Sequence, residues 1–95
     1  MASIKSLKKD IDFLLFELLS DCFMVSSLHE GAKKAEVQDL IEETVGLRNE
    51  FIDRANHPDG KDNPALVKAF YASLRKELFG KVNDGFEKLS NIAKQ

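Results

Sequence analysis

Arg48 is the polar residue whose setting demands most of its neighbours. At about 100° per residue it falls among Thr44, Val45, Phe51 and Ile52, on the apolar stripe of a helical segment. A guanidinium there must run its stem over apolar surface to water, or meet a carboxylate. If the preceding segment folds back about Gly31, Arg48 lies level with Leu14. Glu17, one turn away, is then the expected partner in a buried ion pair, with Asp10 second. The competing chemistry is anion binding, with Arg48 as the anchor for an acidic head group.

The remaining chemistry-bearing residues read as structural. Cys22 lies on an apolar stripe with no base placed beside it, which describes an inert buried thiol rather than a nucleophile. Ser26, Ser27 and His29 match a hydrolase only in residue type, because no oxyanion-binding glycine turn accompanies them. Asp39, Glu42, Glu43, Glu50 and Asp53 face away from their segment's apolar stripe. Carboxylate metal sites in bundles use inward Glu-x-x-His pairs, and none occurs, although Glu50, Asp53 and His57 share one side. His57, Asp59, Asp62 and Asn63 crowd one loop without the alternating acids and closing glutamate of a calcium loop, so turn and cap chemistry accounts for them. Phosphate-cradling glycine motifs are absent. These residues supply no catalytic, cofactor-binding or metal-ligating set, and the expectation is a protein that is not an enzyme and needs no cofactor.

Two breaks divide the elements that carry these residues. His29-Glu30-Gly31-Ala32 contains a glycine suited to a left-handed helix end. Residues 56–64, NHPDGKDNP, hold two prolines and a glycine, and Asn63-Pro64 reads as a cap followed by a first helical residue. Ser3 is the expected cap of the first segment.

Segment one, about Ser3 to Leu28, places Ile4, Leu7, Ile11, Leu14, Leu15, Leu18, Cys22 and Val25 on one face. Segment two, about Lys33 to Asn56, places Val37, Leu40, Ile41, Thr44, Val45, Phe51, Ile52 and Ala55 on one stripe. Its other side holds Gln38, Asp39, Glu42, Glu43, Asn49, Glu50 and Asp53. In segment three, about Pro64 to Ala93, Val67, Phe70, Tyr71, Leu74, Leu78, Val82, Phe86, Leu89 and Ile92 step by three and four. Alternating β-branched runs are absent. The expected fold is all-α, one domain over residues 1–95, an antiparallel up-down-up three-helix bundle joined by short connections. The alternative is a four-helix bundle, with the last segment broken near Gly80, where Gly80 and Asn83-Asp84-Gly85 weaken the helix by about 1 kcal/mol per glycine.

Segment one exceeds what such a bundle requires. In IDFLLFELLSDCFMV, Ile11 to Val25, eleven of fifteen residues are apolar. Phe13, Phe16, Leu19, Phe23 and Met24 lie on the flanks and far side of the main stripe. Either the last segment covers them or they form an exposed patch that a partner hides, most simply a second copy related by a two-fold axis. They are the candidate interface residues of a homodimer.

Composition narrows the partners. The net charge of −2 does not suit a protein that must neutralise many phosphates, so nucleic acid is not expected. Basic and aromatic residues are not interleaved as in single-strand binders. Asp12, Glu17 and Asp21 interrupt the most apolar stretch, which is too short to span a bilayer; no membrane association is expected. A single cysteine and the lack of a secretory leader give a cytoplasmic expectation. Charge is mildly polarised, about −3 over residues 30–57 and about +2 over residues 58–95, so the second and third segments could pair along their edges.

The opening run Ile4-Lys5-Ser6-Leu7-Lys8-Lys9-Asp10-Ile11 resembles the start of a family of short bacterial helical proteins whose chains open with K-x-L-K-K-D-I. The resemblance covers about the first two dozen residues. It implies a small helical bundle and carries no activity, substrate or site residue.

The sequence thus points to a non-enzymatic, coiled-coil-like helical module for protein–protein interaction that self-associates, without naming a biological process. The alternative is a small-ligand-binding regulator with an apolar cavity between segments one and three and Arg48 as anion anchor.

Overall fold

The computed structural model describes residues 4–58, 60 and 62–94, and all its regular structure is helical. Helix α1 spans Ile4–Leu28, α2 Ala32–Asn56 and α3 Pro64–Lys94. They form the expected up-down-up bundle, about 51 Å long and 17 Å across, with every pair of helices in contact. The expected cap Ser3 and the loop residue Asp59 lie outside the described residues.

The turns follow their side chains. Gly31 adopts φ 70°, where a Cβ would be strained, and starts α2 without a side-chain cap. Gly60 also has φ 71°, and its carbonyl accepts a 2.7 Å bond from Asn63 N–H. Asn63 then caps α3: its Oδ1 accepts from Ala65 N–H at 3.0 Å and from Leu66 N–H at 3.4 Å, leaving Pro64 at a position that needs no donor.

The core is built from the three stripes. Leu7, Ile11 and Leu15 of α1 pack with Phe51 and Ala55 of α2 and with Tyr71, Leu74, Leu78 and Val82 of α3. Towards the other end, Leu18 and Cys22 pack with Val37, Leu40, Ile41 and Leu89. Two buried hydroxyls find backbone carbonyls. Thr44 Oγ1 donates to Leu40 O at 2.7 Å, and Tyr71 Oη donates to Ala55 O at 3.3 Å. Val45, assigned to the α2 stripe from its spacing, is exposed instead, at the edge where the stripe meets the acidic side.

The four-helix alternative is corrected: α3 runs unbroken from Pro64 to Lys94. Gly85 explains why. It is buried, and a Cβ there would collide with Leu18 Cδ2, so the glycine lets α3 approach α1 closely. The contact offsets the propensity penalty of about 1 kcal/mol. Gly80 is exposed with open space beside it, and the core contacts of Leu78 and Val82 hold the helix across it.

Charged residues pair along the seams. Arg48 of α2 reaches Asp12 of α1 at 2.7 Å, and Arg75 Nη2 of α3 approaches Asp10 Oδ2 of α1 at 2.8 Å. Lys88 meets Glu43 at 3.1 Å, and Arg54 pairs with Glu77 while lying over the Phe51 ring. The expected edge pairing of α2 with α3 is present, with acid and base drawn from both helices. No helix among the described residues is long and apolar enough to cross a membrane.

Candidate interaction surface

The site is the outward side of α1. Leu7, Ile11, Leu15, Leu18 and Cys22 point into the bundle, so α2 and α3 lie against one half of the helix. The two arginine pairs then hold α1 by both flanks, Arg48 on the α2 side and Arg75 on the α3 side. The half turned away from both helices carries Phe13, Phe16, Phe23 and Met24, which remain 58–64% exposed.

That exposure follows from periodicity. At 3.6 residues per turn, side chains offset from the core stripe by about half a turn cannot reach either neighbour. Of the five candidate interface residues, Leu19 is corrected. It is half-buried against the Leu18–Cys22 end of the core, on the α2 flank, and only its outer edge adjoins the patch. On the α3 flank the patch gains Phe86, half-buried, which sequence spacing had placed in the α3 core stripe. Phe79, one heptad earlier on α3 and half exposed, belongs to no stripe read from the sequence.

Phe13, Phe16 and Phe86 frame a shallow groove of about 700 Å³, floored near Ser20 and rimmed by Asp12, Glu17 and Asp21. A second groove of about 290 Å³ between α2 and α3 is lined by Leu18, Leu40 and Thr44, with Glu43, Lys81, Asp84 and Lys88 at its mouth. The first groove is broad and open; its Asp12 is already paired with Arg48, and Glu17 and Asp21 would repel an acidic head group. An enclosed apolar cavity between α1 and α3, anchored by Arg48, is not what these residues build.

The buried pair Arg48–Glu17 is corrected too. Arg48 Nε donates to Asp12 Oδ1, and the two side chains are 42% and 40% exposed. Asp12 and Arg48 sit at equal sequence distance from Glu30 and so share one axial level. The difference is rotational. Five residues separate Asp12 from Glu17, which places them about 140° apart around the helix. Asp12 faces α2; Glu17 lies on the rim of the groove that Phe86 closes. Asp10, the second choice, meets Arg75 instead.

The remaining candidates lie apart from this face. Cys22 is fully buried, and desolvation, with a smaller contribution from the neighbouring Asp21 charge, pushes its thiol up to about 11. It holds almost no thiolate near neutral pH. His57 ends α2, its Nδ1 2.9 Å from Asp53 O. Among the described residues no group of three or more His, Cys, Asp or Glu side chains is placed to hold a metal ion.

No family model, curated protein or solved structure matches this chain. The similarity of the opening run to short bacterial helical proteins therefore rests on those residues alone, and the functional argument rests on the surface itself.

Proposed function

We propose that this protein is a non-enzymatic interaction module that self-associates through the outward face of α1. One observation carries the reading: four large apolar side chains on a single helix face stay more than half exposed in one copy of the chain. Each aromatic side chain carries about 150–250 Å² of surface. Phe13 and Phe16 share one groove with Phe86, Met24 shares another with it, and Phe23 lies on the same side of α1, so the exposed apolar surface is concentrated on one face, as at interaction sites. Solvated acids flank the patch, as a polar rim surrounds an interface centre.

Sedimentation of the purified chain tests this. The wild type is expected to sediment as a dimer at tens of micromolar, and Phe16→Glu as a folded monomer with the same helical circular dichroism. A wild type that remains monomeric under those conditions overturns self-association as the module's use of this face.

A further inference from the structure

We infer that the partner is a second copy whose α1 runs antiparallel to the first, with the two-fold axis at the level of Leu18; this rests on the self-association reading above. The outward positions of α1 follow a seven-residue repeat. Lys9, Phe13, Phe16, Ser20, Phe23 and Ser27 are spaced four, three, four, three and four apart, the spacing of a coiled-coil seam. α1 therefore carries two seams, an apolar one facing its own bundle and one facing out in which three phenylalanines share the repeat with Lys9, Ser20 and Ser27.

Side-chain size makes the outer seam self-complementary in one orientation. With the axis at Leu18, Phe13 meets the partner's Phe23, Phe16 meets the partner's Ser20, and Lys9 meets the partner's Ser27. Each symmetric copy repeats these layers. A bulky ring faces a small side chain at the two central layers, and the open groove beside Ser20 lies where the partner's Phe16 arrives. The outer layers pair two rings, a geometry that aromatic groups favour when offset.

Charge selects the same orientation. A parallel dimer would stack Lys9 on Lys9 and set Asp12 of one copy across the seam from Glu17 of the other, placing like charges together twice over. The antiparallel arrangement removes both contacts, setting Lys9 against the partner's Ser27 and Asp12 level with the partner's Met24, and leaves a single like-charge approach, Glu17 beside the partner's Glu17 near the axis. It also brings Lys5, Lys8 and Lys9 to the C-terminal end of the partner's α1. That end carries partial negative charge, and its last turn has no basic residue of its own. The area suffices. At 58–64% exposure the four outward residues offer roughly 90–150 Å² each, on the order of 1,000 Å² over two copies, the threshold for a specific interface.

Cross-linking between two single variants, Lys9→Cys and Ser27→Cys, reads the orientation, because Cys22 is buried and unreactive. Mixed at equal concentration and mildly oxidised, they are expected to give a covalent dimer at least tenfold more abundant than either variant gives alone. Phe16→Glu placed in both should remove that product. A covalent dimer from either variant alone, matching the mixture, indicates a parallel seam. That result overturns the antiparallel assignment and leaves self-association through α1 standing. A non-covalent dimer by sedimentation with no cross-link in the mixture also overturns the assignment, by placing the interface elsewhere. A monomeric wild type at the same concentration removes the inference together with the reading beneath it.

Discussion

The outward faces of α1 and α2 differ more than anything else in this bundle. Both helices have 25 residues, and both present an apolar stripe to the same core. Behind its stripe α2 shows Gln38, Asp39, Glu42, Glu43, Asn49, Glu50 and Asp53, all exposed. Behind its stripe α1 shows Phe13, Phe16, Phe23 and Met24, equally exposed. The comparison separates two kinds of information in one chain. Inward residues specify the bundle, and a solvated back like that of α2 is enough for it. The apolar back of α1 stays exposed in a single copy, and the proposed self-association rests on that difference.

Substitution can test that separation most strongly in the core. Leu18→Ala removes a fully buried side chain beneath Gly85 and should cost about 2–5 kcal/mol in urea unfolding. Phe16→Ala on the opposite side of the same helix should cost a dilute, monomeric sample well under 1 kcal/mol. A comparable loss at both positions would erase the distinction between the faces.

The glycines of α3 sharpen the contrast within one helix. Gly85→Ala forces Leu18 or α3 to move, an overpacking cost of about 1–3 kcal/mol that exceeds the helix-propensity gain of about 1 kcal/mol, for a net destabilisation of up to about 2 kcal/mol. Gly80→Ala enters open space on an exposed helical position and should stabilise by up to about 1 kcal/mol. Thermal melting of the two variants should therefore shift in opposite directions.

Cys22 reports on the core chemically. Its folded value of about 11 lies above the unfolded 9.0, so the native state favours the neutral thiol. Its contribution to stability is fully present below about pH 9 and is lost as pH rises through about 11. A thiol reagent at about pH 8 should modify native protein far more slowly than urea-unfolded protein. Equal rates would place the thiol at the surface. The smallest effect belongs to Arg48→Met. Its pair with Asp12 is half exposed, and the change in unfolding free energy should stay within about 1 kcal/mol.

Much of this architecture was legible in the sequence because it depends on local rules. The left-handed glycine at 31, the Asn63-Pro64 cap and the three periodic stripes gave helix ends within a residue or two of those observed. Of the five apolar residues that spacing places off the main α1 stripe, Phe13, Phe16, Phe23 and Met24 are exposed and Leu19 is half-buried. What the spacing could not supply was rotation between neighbours. Glu17 was at a plausible level for Arg48 but on the wrong flank, and Asp12 met the guanidinium. Whether α3 would break at its glycines depended on a tertiary contact, Gly85 against Leu18, that no propensity encodes. Phe86 looked like a core residue because its stripe position is correct. Only the packing shows it shared between the core and the outward patch.

The central claim is that the outer face of α1 is an interface and not a solvated surface. Sedimentation equilibrium of wild type and Phe16→Glu across concentrations up to tens of micromolar addresses it most directly, with circular dichroism confirming that both are folded. The account predicts a reversible dimer for the wild type and a monomer for the variant at unchanged helicity. Identical association states for the two chains, whether both monomeric or both dimeric, would contradict it.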